Sequence, residues 1–152
     1  MASFEVVLVR TQAEMLAALN IRRRVFIEGQ AIPETLEIDE HDADPAIVTT
    51  ALHVLGSLDG IAIATGRLLL EPDAGSLPHI GRVAVLEDQR GNGYGRHVMH
   101  ALHVLARERG FAAVTLAAQL HAIGFYERLG YAARDDVFVE AGIEHRWMDL
   151  IL

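Results

Sequence analysis

Cysteine is absent from the 152 residues, which excludes disulfide bonds, thiol nucleophiles and thiolate ligands for a metal. The eight histidines are scattered without the spacing of a zinc motif, so the sequence predicts no metal site. Basic residues are also scarce, because 13 lysines and arginines stand against 21 acidic residues and give a formal net charge of −8. Since nucleic-acid binding draws on clustered basic residues, we expect no nucleic-acid partner.

A long apolar run is missing as well. Although 51% of the residues are hydrophobic, no uninterrupted stretch reaches the ~18 residues that cross a bilayer. Residues 1–10 are too short and too alternating to be the apolar part of a secretory signal. Without a repeat, a low-complexity tract or a linker, the chain is expected to form a single domain over residues 1–152. We therefore expect a cytoplasmic protein with no membrane partner.

The stretch from Gly81 to Gly95, GRVAVLEDQRGNGYG, joins a predicted strand to a predicted helix through three glycines. Val83 and Val85 are typical of a strand, and apolar residues then recur at helical spacing over residues 98–106. Glycines leave the backbone amides open to a ligand, and the first amides of a helix have no partner within it. Because the helix dipole also favours negative charge there, the stretch predicts a phosphate site.

Two familiar phosphate-binding loops do not fit this stretch. No Gly-Lys-Ser/Thr follows the glycines, which excludes a Walker A loop that holds a β- or γ-phosphate and magnesium. The glycines alternate and lie past the middle of the chain, so they lack the spacing and the position of a dinucleotide fingerprint.

Residues 90–95, Arg-Gly-Asn-Gly-Tyr-Gly, resemble the acetyl-CoA loop of the GNAT superfamily of N-acetyltransferases, whose pattern is Gln/Arg-x-x-Gly-x-Gly/Ala. The strand at residues 82–85 precedes this loop at the family's spacing. Residues 122–131, AIGFYERLGY, resemble a second family motif, Ala-x-x-Phe-Tyr-x-x-x-Gly-Phe. Arg82-Val83, Gln119-x-His121 and a closing Glu-x-Gly-Ile-x-His are most similar to the small stand-alone ElaA-like branch.

The resemblance implies an α/β fold, with a mixed, mostly antiparallel sheet that is flanked by helices on both faces and splayed between strands 4 and 5. Residue patterns place strands at 4–9, 48–56, 61–70, 79–86 and 112–117, a helix at 122–129 and a closing hairpin over residues 132–150. Asp59-Gly60 predicts the turn of a hairpin. A homodimer through the C-terminal strands is compatible with the family.

Thr11-Gln12-Ala13-Glu14 predicts a capping box for a first helix over residues 12–27. The helix is expected to bury its apolar positions, namely Met15, Leu16, Leu19 and Phe26. Its three consecutive arginines, Arg22, Arg23 and Arg24, are interpreted as a solvated face.

An acidic, proline-bounded segment follows over residues 34–44 and is most simply an exposed surface loop. The resemblance offers a second interpretation, because this connection covers the acceptor pocket in GNAT proteins, where carboxylates could attract an ammonium group. Asp39-x-His41-x-x-Asp44 lacks the glycine and the terminal glutamate of a calcium loop, so no metal is expected there.

The family resemblance implies acetyl transfer from acetyl-CoA, as co-substrate, to the primary amine of a small molecule or peptide. The backbone of Val83, Ala84 and Val85 would pair with the pantetheine arm, and an amide near Val85 would polarise the thioester carbonyl. The pyrophosphate would take amides of the loop, which comprises Arg90, Gly91, Asn92, Gly93, Tyr94, Gly95 and Arg96, with Arg90 and Arg96 adding charge. Gln119 stands on the pantetheine side where many relatives have asparagine.

Tyr126 matches the family tyrosine that contacts the coenzyme and gives a proton to the departing thiolate, which suits a phenol of pKa ~10. His79 is the first candidate for the general base, because strand alternation places it on the face of Val85 and histidine accepts a proton near pH 7. Glu28, His121, His145 and a relay through water are the alternatives. The candidate acceptor-side residues are Glu28, Arg67, Arg82, His121 and His145.

Two functions of other classes are compatible with the same residues. The chain could be a sensor that binds an acyl-CoA without turnover, or an interaction module that kept the fold alone. Binding of acetyl-CoA and release of its thiol in the presence of amines distinguish these functions from the enzyme.

Overall fold

The structure, a computed structural model, describes residues 2–152 and contains seven strands that form one sheet. The strands are β1 (Phe4–Leu8), β2 (Ala51–Leu58), β3 (Ile61–Leu69), β4 (His79–Val85), β5 (Ala113–Gln119), β6 (Ala132–Glu140) and β7 (Ile143–Ile151). Their order is β1-β2-β3-β4-β5-β7-β6, and every neighbouring pair is antiparallel except β4 and β5. The predicted mixed, mostly antiparallel sheet is therefore confirmed.

Four α-helices accompany the sheet in the described residues: α1 (Gln12–Arg22), α2 (Glu34–Glu37), α3 (Tyr94–Glu108) and α4 (Ile123–Arg128). A Cβ placed on Gly66 of β3 would lie 2.9 Å from side-chain atoms of Val98 and Leu102, so α3 packs directly on this face of β3. The next residue, Arg67, points to the opposite face, where it meets the segment that follows α1. The helices therefore cover both faces, and no described helix is long and apolar enough to span a membrane.

The first helix differs from its prediction in two respects. The capping box between Thr11 and Glu14 is confirmed, but the α-helical hydrogen-bonding ends at Arg22 and one π-helical turn continues from Arg23 to Glu28. Leu16 is 67% exposed, so the prediction that it is buried is wrong. The buried stripe instead passes through Met15, Ala18 and Arg22, at spacings of three and four residues that leave Leu16 on the outer face.

The predicted turns are confirmed more closely than the predicted strand ends. Asp59 and Gly60, both with positive φ, connect β2 and β3, and Gly130 with φ of 101° follows α4. The closing hairpin consists of β6 and β7. Strand β2 begins at Ala51 rather than at residue 48, and β5 extends to Gln119 rather than to residue 117.

Strands β4 and β5 separate after a short contact. Only His79 with Thr115 and Ile80 with Leu116 are paired, and the rest of β4 is hydrogen-bonded to β3 alone. The predicted splay between the fourth and fifth strands is therefore present, and it leaves one edge of residues 81–85 open.

A β-bulge at Arg82 corrects the expected position of His79. Gly81 pairs with Arg67 and Ala84 pairs with Thr65. Two residues of β4, Arg82 and Val83, therefore lie opposite one residue of β3, Gly66. Arg82 has φ of 54°. The extra residue inverts the alternation of side chains along the strand. His79 therefore lies on the α1 face and Val85 on the α3 face, whereas simple alternation placed both on one face.

Candidate active site

A cleft of about 980 Å³ opens where β4 and β5 separate. Its lining includes the glycine loop, the edge of β4, the end of β5, one side of α4 and the π-helical turn after α1. Of the predicted site residues, it brings together His79, Arg67, Arg82, Val83, Ala84, Val85, Arg90, Gly91, Gly93, Tyr94, Gly95, Arg96, Gln119, His121, Tyr126 and His145.

The loop before α3 presents backbone amides without helical partners. Gly91 and Gly93 have φ of 82° and 81°, a left-handed conformation that glycine adopts at little cost. Gly93 is the N-cap and supplies no side chain, so the amides of Tyr94, Gly95 and Arg96 lack intrahelical acceptors. Gly95 also lets the ring of Phe125 pack closely against the start of α3, because a Cβ on residue 95 would lie 3.4 Å from that ring. The loop can therefore hold an anion with main-chain groups.

Polar side chains of the loop brace its conformation. Nε of Arg90 donates to the carbonyl of Val85 over 3.0 Å, and Nδ2 of Asn92 donates to the carbonyl of Gln89 over 3.1 Å. The ring of Tyr94 stacks on Phe4 with centroids 4.3 Å apart, so the side chain anchors the helix start against β1 while its amide remains in the loop. Arg96 is exposed at the first helical turn.

Tyr126 lies on α4 with its ring held between two aromatic neighbours. Its centroid is 5.0 Å from that of Phe125 and 5.7 Å from that of Tyr131, both in edge-to-face geometry. Tyr131 is fixed in turn, because its hydroxyl lies 2.6 Å from Nε2 of the buried His103. Burial raises the pKa of Tyr126 to about 12. The Tyr126 hydroxyl makes no hydrogen bond within residues 2–152 and is not enclosed by them, so it can donate to a ligand in the cleft.

Gln119 is already engaged by protein partners. It exchanges two hydrogen bonds with Gln30, of 3.0 and 2.9 Å, and its Oε1 lies 2.7 Å from Nε2 of His121. Gln30 was not predicted as a site residue, and no local sequence pattern marks it because it is 89 positions away from its partner.

Two predicted histidines lie on an aromatic row that the sequence did not reveal. Trp147 lies 5.4 Å from His79 and 5.5 Å from Phe138, and Phe138 lies 5.7 Å from His145, measured between ring centroids. Nδ1 of His145 lies 2.7 Å from the carbonyl of Ile143, which fixes the ring. Burial lowers the pKa of His79, so this imidazole is neutral near pH 7 and can accept a proton.

Glu28 is the one candidate base outside the main cleft. It lines a neighbouring cavity of about 440 Å³ with Arg24 and Gln30, and Gln30 and His121 also border the main cleft. Glu28 therefore lines a different cavity from the one that Tyr126 and His79 line, although Gln30 and His121 border both.

The acidic segment contributes Glu37 and Asp42 to a buried ion-pair network, whereas Glu34 and Glu40 are exposed. Arg22 is part of this network rather than of a solvated face. Arg22 is 1% exposed and donates to Glu37 over 2.8 Å and to Asp42 over 2.6 and 2.9 Å. Arg67 donates to both oxygens of Asp39 and to Asp42. Arg23 and Arg24 are exposed, as predicted. The predictions that this segment is exposed and that Arg22 is solvated are therefore wrong for Arg22, Glu37 and Asp42, because these side chains neutralise one another against the sheet. The second interpretation of the segment, as a cover of the acceptor pocket, stays a prediction, and Glu37 lines the cleft.

The pKa values of the network's two buried carboxylates, Asp42 and Glu37, are shifted in opposite directions. Burial opposes the charge on Asp42, but the hydrogen bond and charge of Arg22 outweigh it and hold the pKa of Asp42 well below its usual range. Burial raises the pKa of Glu37 although Arg82 and Arg22 oppose the shift. Nε of Arg67 is the one buried side-chain polar atom without a hydrogen-bond partner among the described residues.

Asp39, Glu40 and His41 each offer a possible metal ligand, and these atoms lie within 4.8 Å of one another. Protein groups already occupy the cluster, because both oxygens of Asp39 accept from Arg67 and Nδ1 of His41 contacts Thr50 over 2.7 Å. The arrangement is thus explained as part of the ion-pair network.

A sheet that splays over a glycine loop and a helix start is the fold of acyl-CoA N-acyltransferases. A model of the acetyltransferase (GNAT) family matches residues 15–131, and the chain belongs to this family. YyaT of Bacillus subtilis is 33% identical over 137 residues, which cover 90% of this chain and 88% of the relative.

Solved structures agree with this assignment. An acyl-CoA N-acyltransferase from Pseudomonas aeruginosa is 30% identical with a TM-score of 0.80, and the similarity covers 97% of this chain and 99% of that chain. ElaA of Escherichia coli is 28% identical with a TM-score of 0.82, covering 98% and 99%. The resemblance to the ElaA-like branch is confirmed by this similarity.

Proposed function

We propose that the protein transfers the acetyl group of acetyl-CoA to a primary amine by direct attack in a ternary complex. The observation that carries this proposal is that the unpartnered amides at the start of α3 and the free hydroxyl of Tyr126 border one cleft. The amides suit a pyrophosphate, the open edge of β4 at residues 83–85 suits the amides of a pantetheine arm, and the hydroxyl suits the sulfur. Membership of the GNAT family supports the same reaction.

The proposed step balances without an acyl-enzyme. The amine nitrogen attacks the thioester carbonyl carbon, a C–N bond forms, the C–S bond breaks, and one proton passes in net from the nitrogen to the sulfur. A backbone amide near Val85 stabilises the carbonyl oxygen as its charge develops. Tyr126 donates a hydrogen bond to the departing thiolate, and no cysteine is present to form a thioester with the protein.

Two measurements test the function as a whole. Calorimetry with acetyl-CoA is expected to show binding at one site, and thiol release is expected to depend on an added amine. Binding without amine-dependent release would indicate the sensor, whereas no binding would indicate the interaction module. Either outcome would remove the proposed reaction.

The phosphate loop is tested by Gly93→Ala. A Cβ at a left-handed φ costs about 1–2 kcal/mol, and a loop that relaxes to avoid it misdirects the amides. We expect the Kd for CoA to rise about tenfold, which corresponds to ~1.4 kcal/mol. Gly60→Ala is the matched control, because Gly60 has φ of 83° in the β2–β3 turn and does not line the cleft. An equal change of Kd in both variants would contradict the loop assignment.

His79 is kept as the proposed general base because it lines the cleft, although the bulge at Arg82 removes the argument from strand alternation. Its pKa gives a pH test. A base must be neutral to act, and burial lowers the pKa of His79 from its usual ~6.5. The wild-type kcat/KM should therefore fall only as the pH drops below that range. We expect His79→Gln to lower kcat about 10²-fold and to remove this acidic limb. If the acidic limb of the pH profile were unchanged in His79→Gln, the general base would instead be His145, His121, Glu28 or a water relay.

A further inference from the structure

The cleft that the phosphate loop lines also presents a carboxylate and a guanidinium side by side. Nε of Arg82 lies 3.1 Å from Oε2 of Glu37, and both residues line the cleft. The Glu37 side chain is 3% exposed, and the hydrogen bond that it accepts from Arg22 ends on Oε2. Its Oε1 accepts no hydrogen bond within residues 2–152 and is not fully enclosed by them. One acceptor atom is therefore free.

Arg82 offers the complementary free donor. Its Nε and Nη2 donate to the carbonyl oxygens of Glu37 and Leu36, each over 3.1 Å, which holds the guanidinium in place and leaves Nη1 without a partner in the described chain. The side chain is 27% exposed, compared with 1% for Arg22 and 5% for Arg67. Arg82 is thus the arginine of the network with the largest surface open to a molecule in the cleft, and it has a free guanidinium nitrogen.

The remaining carboxylates of the network are not available to a ligand. Asp42 accepts hydrogen bonds from Arg22 and Arg67, and both oxygens of Asp39 accept from Arg67. Burial raises the pKa of Glu37, so a cation placed at its free oxygen would favour the ionised carboxylate. The accessible part of the network is therefore one carboxylate oxygen and one guanidinium nitrogen on neighbouring side chains.

We propose that the acceptor is a free α-amino acid, whose ammonium group meets Oε1 of Glu37 and whose carboxylate meets Nη1 of Arg82. This inference rests on the acetyl-transfer function proposed above and narrows its acceptor. In an α-amino acid a single carbon joins the ammonium and carboxylate groups, so the two charges lie close together. The adjacent carboxylate of Glu37 and guanidinium of Arg82 present the complementary pair of charges. Val25, Phe26 and Ile32 add an apolar wall to the cleft, which suits an apolar side chain.

Matched pairs of amines test the carboxylate requirement in the unmodified chain. Thiol release from acetyl-CoA is measured with leucine and phenylalanine, and with their decarboxylated counterparts 3-methylbutylamine and 2-phenylethylamine, at equal concentrations of the uncharged amine. The chain contains no lysine, so its own side-chain amines do not add to the signal. We expect kcat/KM for each amino acid to exceed that of its counterpart by at least about tenfold. Equal or higher values for the counterparts would overturn the proposal.

Arg82→Gln tests the contact itself, and Arg109→Gln, which changes an exposed arginine after α3, is the control. In Arg82→Gln we expect the kcat/KM for leucine to fall at least about tenfold further than the kcat/KM for 3-methylbutylamine, and the KM for acetyl-CoA to rise less than the KM for leucine. Any loss common to both amines is attributed to the hydrogen bonds that attach α2. Arg109→Gln should leave all of these values unchanged. An equal loss with both amines in Arg82→Gln would show a general disturbance of the cleft and would overturn the assignment of Arg82.

Failure of this inference is distinguishable from failure of the proposed function. If acetyl-CoA binds and only amines without a carboxylate release thiol, the reaction stands and the amino-acid acceptor is wrong. If acetyl-CoA does not bind and no amine releases thiol, both are wrong. The comparison of matched amines uses the wild-type chain, so it remains decisive even where Arg82→Gln does not fold.

Discussion

Replacing Asp42 with asparagine is expected to lower the free energy of unfolding by about 3–5 kcal/mol, the cost of removing one partner from a buried ion pair. Asp42 accepts hydrogen bonds from Arg22 at 2.6 and 2.9 Å and from Arg67 at 3.1 Å, and its side chain is 1% exposed. Asparagine has nearly the same shape but leaves two buried guanidinium groups short of a negative charge. Urea unfolding followed by circular dichroism measures the difference.

Glu40→Gln is the matched control for this prediction. Glu40 lies two positions before Asp42 but is 82% exposed, and a surface substitution of this kind changes stability by about 0.5 kcal/mol or less. A loss below ~1 kcal/mol for Asp42→Asn would show that the network contributes little net stability.

The pH dependence of the same variant has a defined sign. Because Arg22 holds the folded-state pKa of Asp42 far below its unfolded value of ~3.9, the contribution of the ionised pair is complete above that unfolded pKa. It is lost as the pH falls toward the folded pKa, since the unfolded chain then binds a proton that the folded chain does not. We therefore expect the stability gap between wild type and Asp42→Asn to narrow as the pH falls below about 5.

Features encoded by a few adjacent residues were predictable from the sequence. The glycine loop at residues 91–95, the capping box at Thr11 and the Asp59-Gly60 turn each depend on local backbone chemistry, and the structure contains all three. The splay of β4 and β5 was predictable only through the family resemblance, because no residue pattern states how far two strands stay paired.

Features that depend on distant partners were not predictable. The burial of Arg22 requires Glu37 and Asp42, which are 15 and 20 positions away, and without them three consecutive arginines are typical of a solvated surface. The bulge at Arg82 is similar, since a positive φ at arginine leaves no mark in the sequence. One inserted residue was enough to move His79 to the other face from Val85.

The charge network also explains why the acidic segment is essential to the shape of the cleft. Leu36, Glu37, Arg67 and Arg82 all line it, and the hydrogen bonds of Arg82 to the carbonyl groups of Leu36 and Glu37 attach α2 to the bulge in β4. The segment is therefore a wall of the cleft whose position is set by buried arginines. Glu37 and Asp42 take part in this pairing, whereas Glu34 and Glu40 face solvent.

Replacing Tyr126 with phenylalanine is expected to lower kcat about 10²-fold or more while the Kd for CoA remains unchanged. Burial raises the pKa of Tyr126 to about 12, so the phenol stays protonated throughout the neutral range. A thiol has an ordinary pKa of ~8.5, and a complete proton transfer from this phenol to the thiolate is therefore uphill. The hydroxyl acts by donating a hydrogen bond as the sulfur gains charge, an interaction made in the transition state rather than with the bound thioester.

Tyr131→Phe separates this catalytic effect from a loss of packing. It removes the same atom from the neighbouring ring, where the hydroxyl bonds to His103 over 2.6 Å within the core. We expect Tyr131→Phe to lower the melting temperature while kcat stays within about threefold of wild type. We expect Tyr126→Phe to lower kcat and to leave the melting temperature unchanged, because its hydroxyl has no protein partner to lose. Steady-state kinetics, calorimetry with CoA and thermal unfolding of both variants test this reversal. If Tyr126→Phe kept the wild-type kcat while an amine was being acetylated, another group would stabilise the departing thiolate and the assignment of Tyr126 would be wrong.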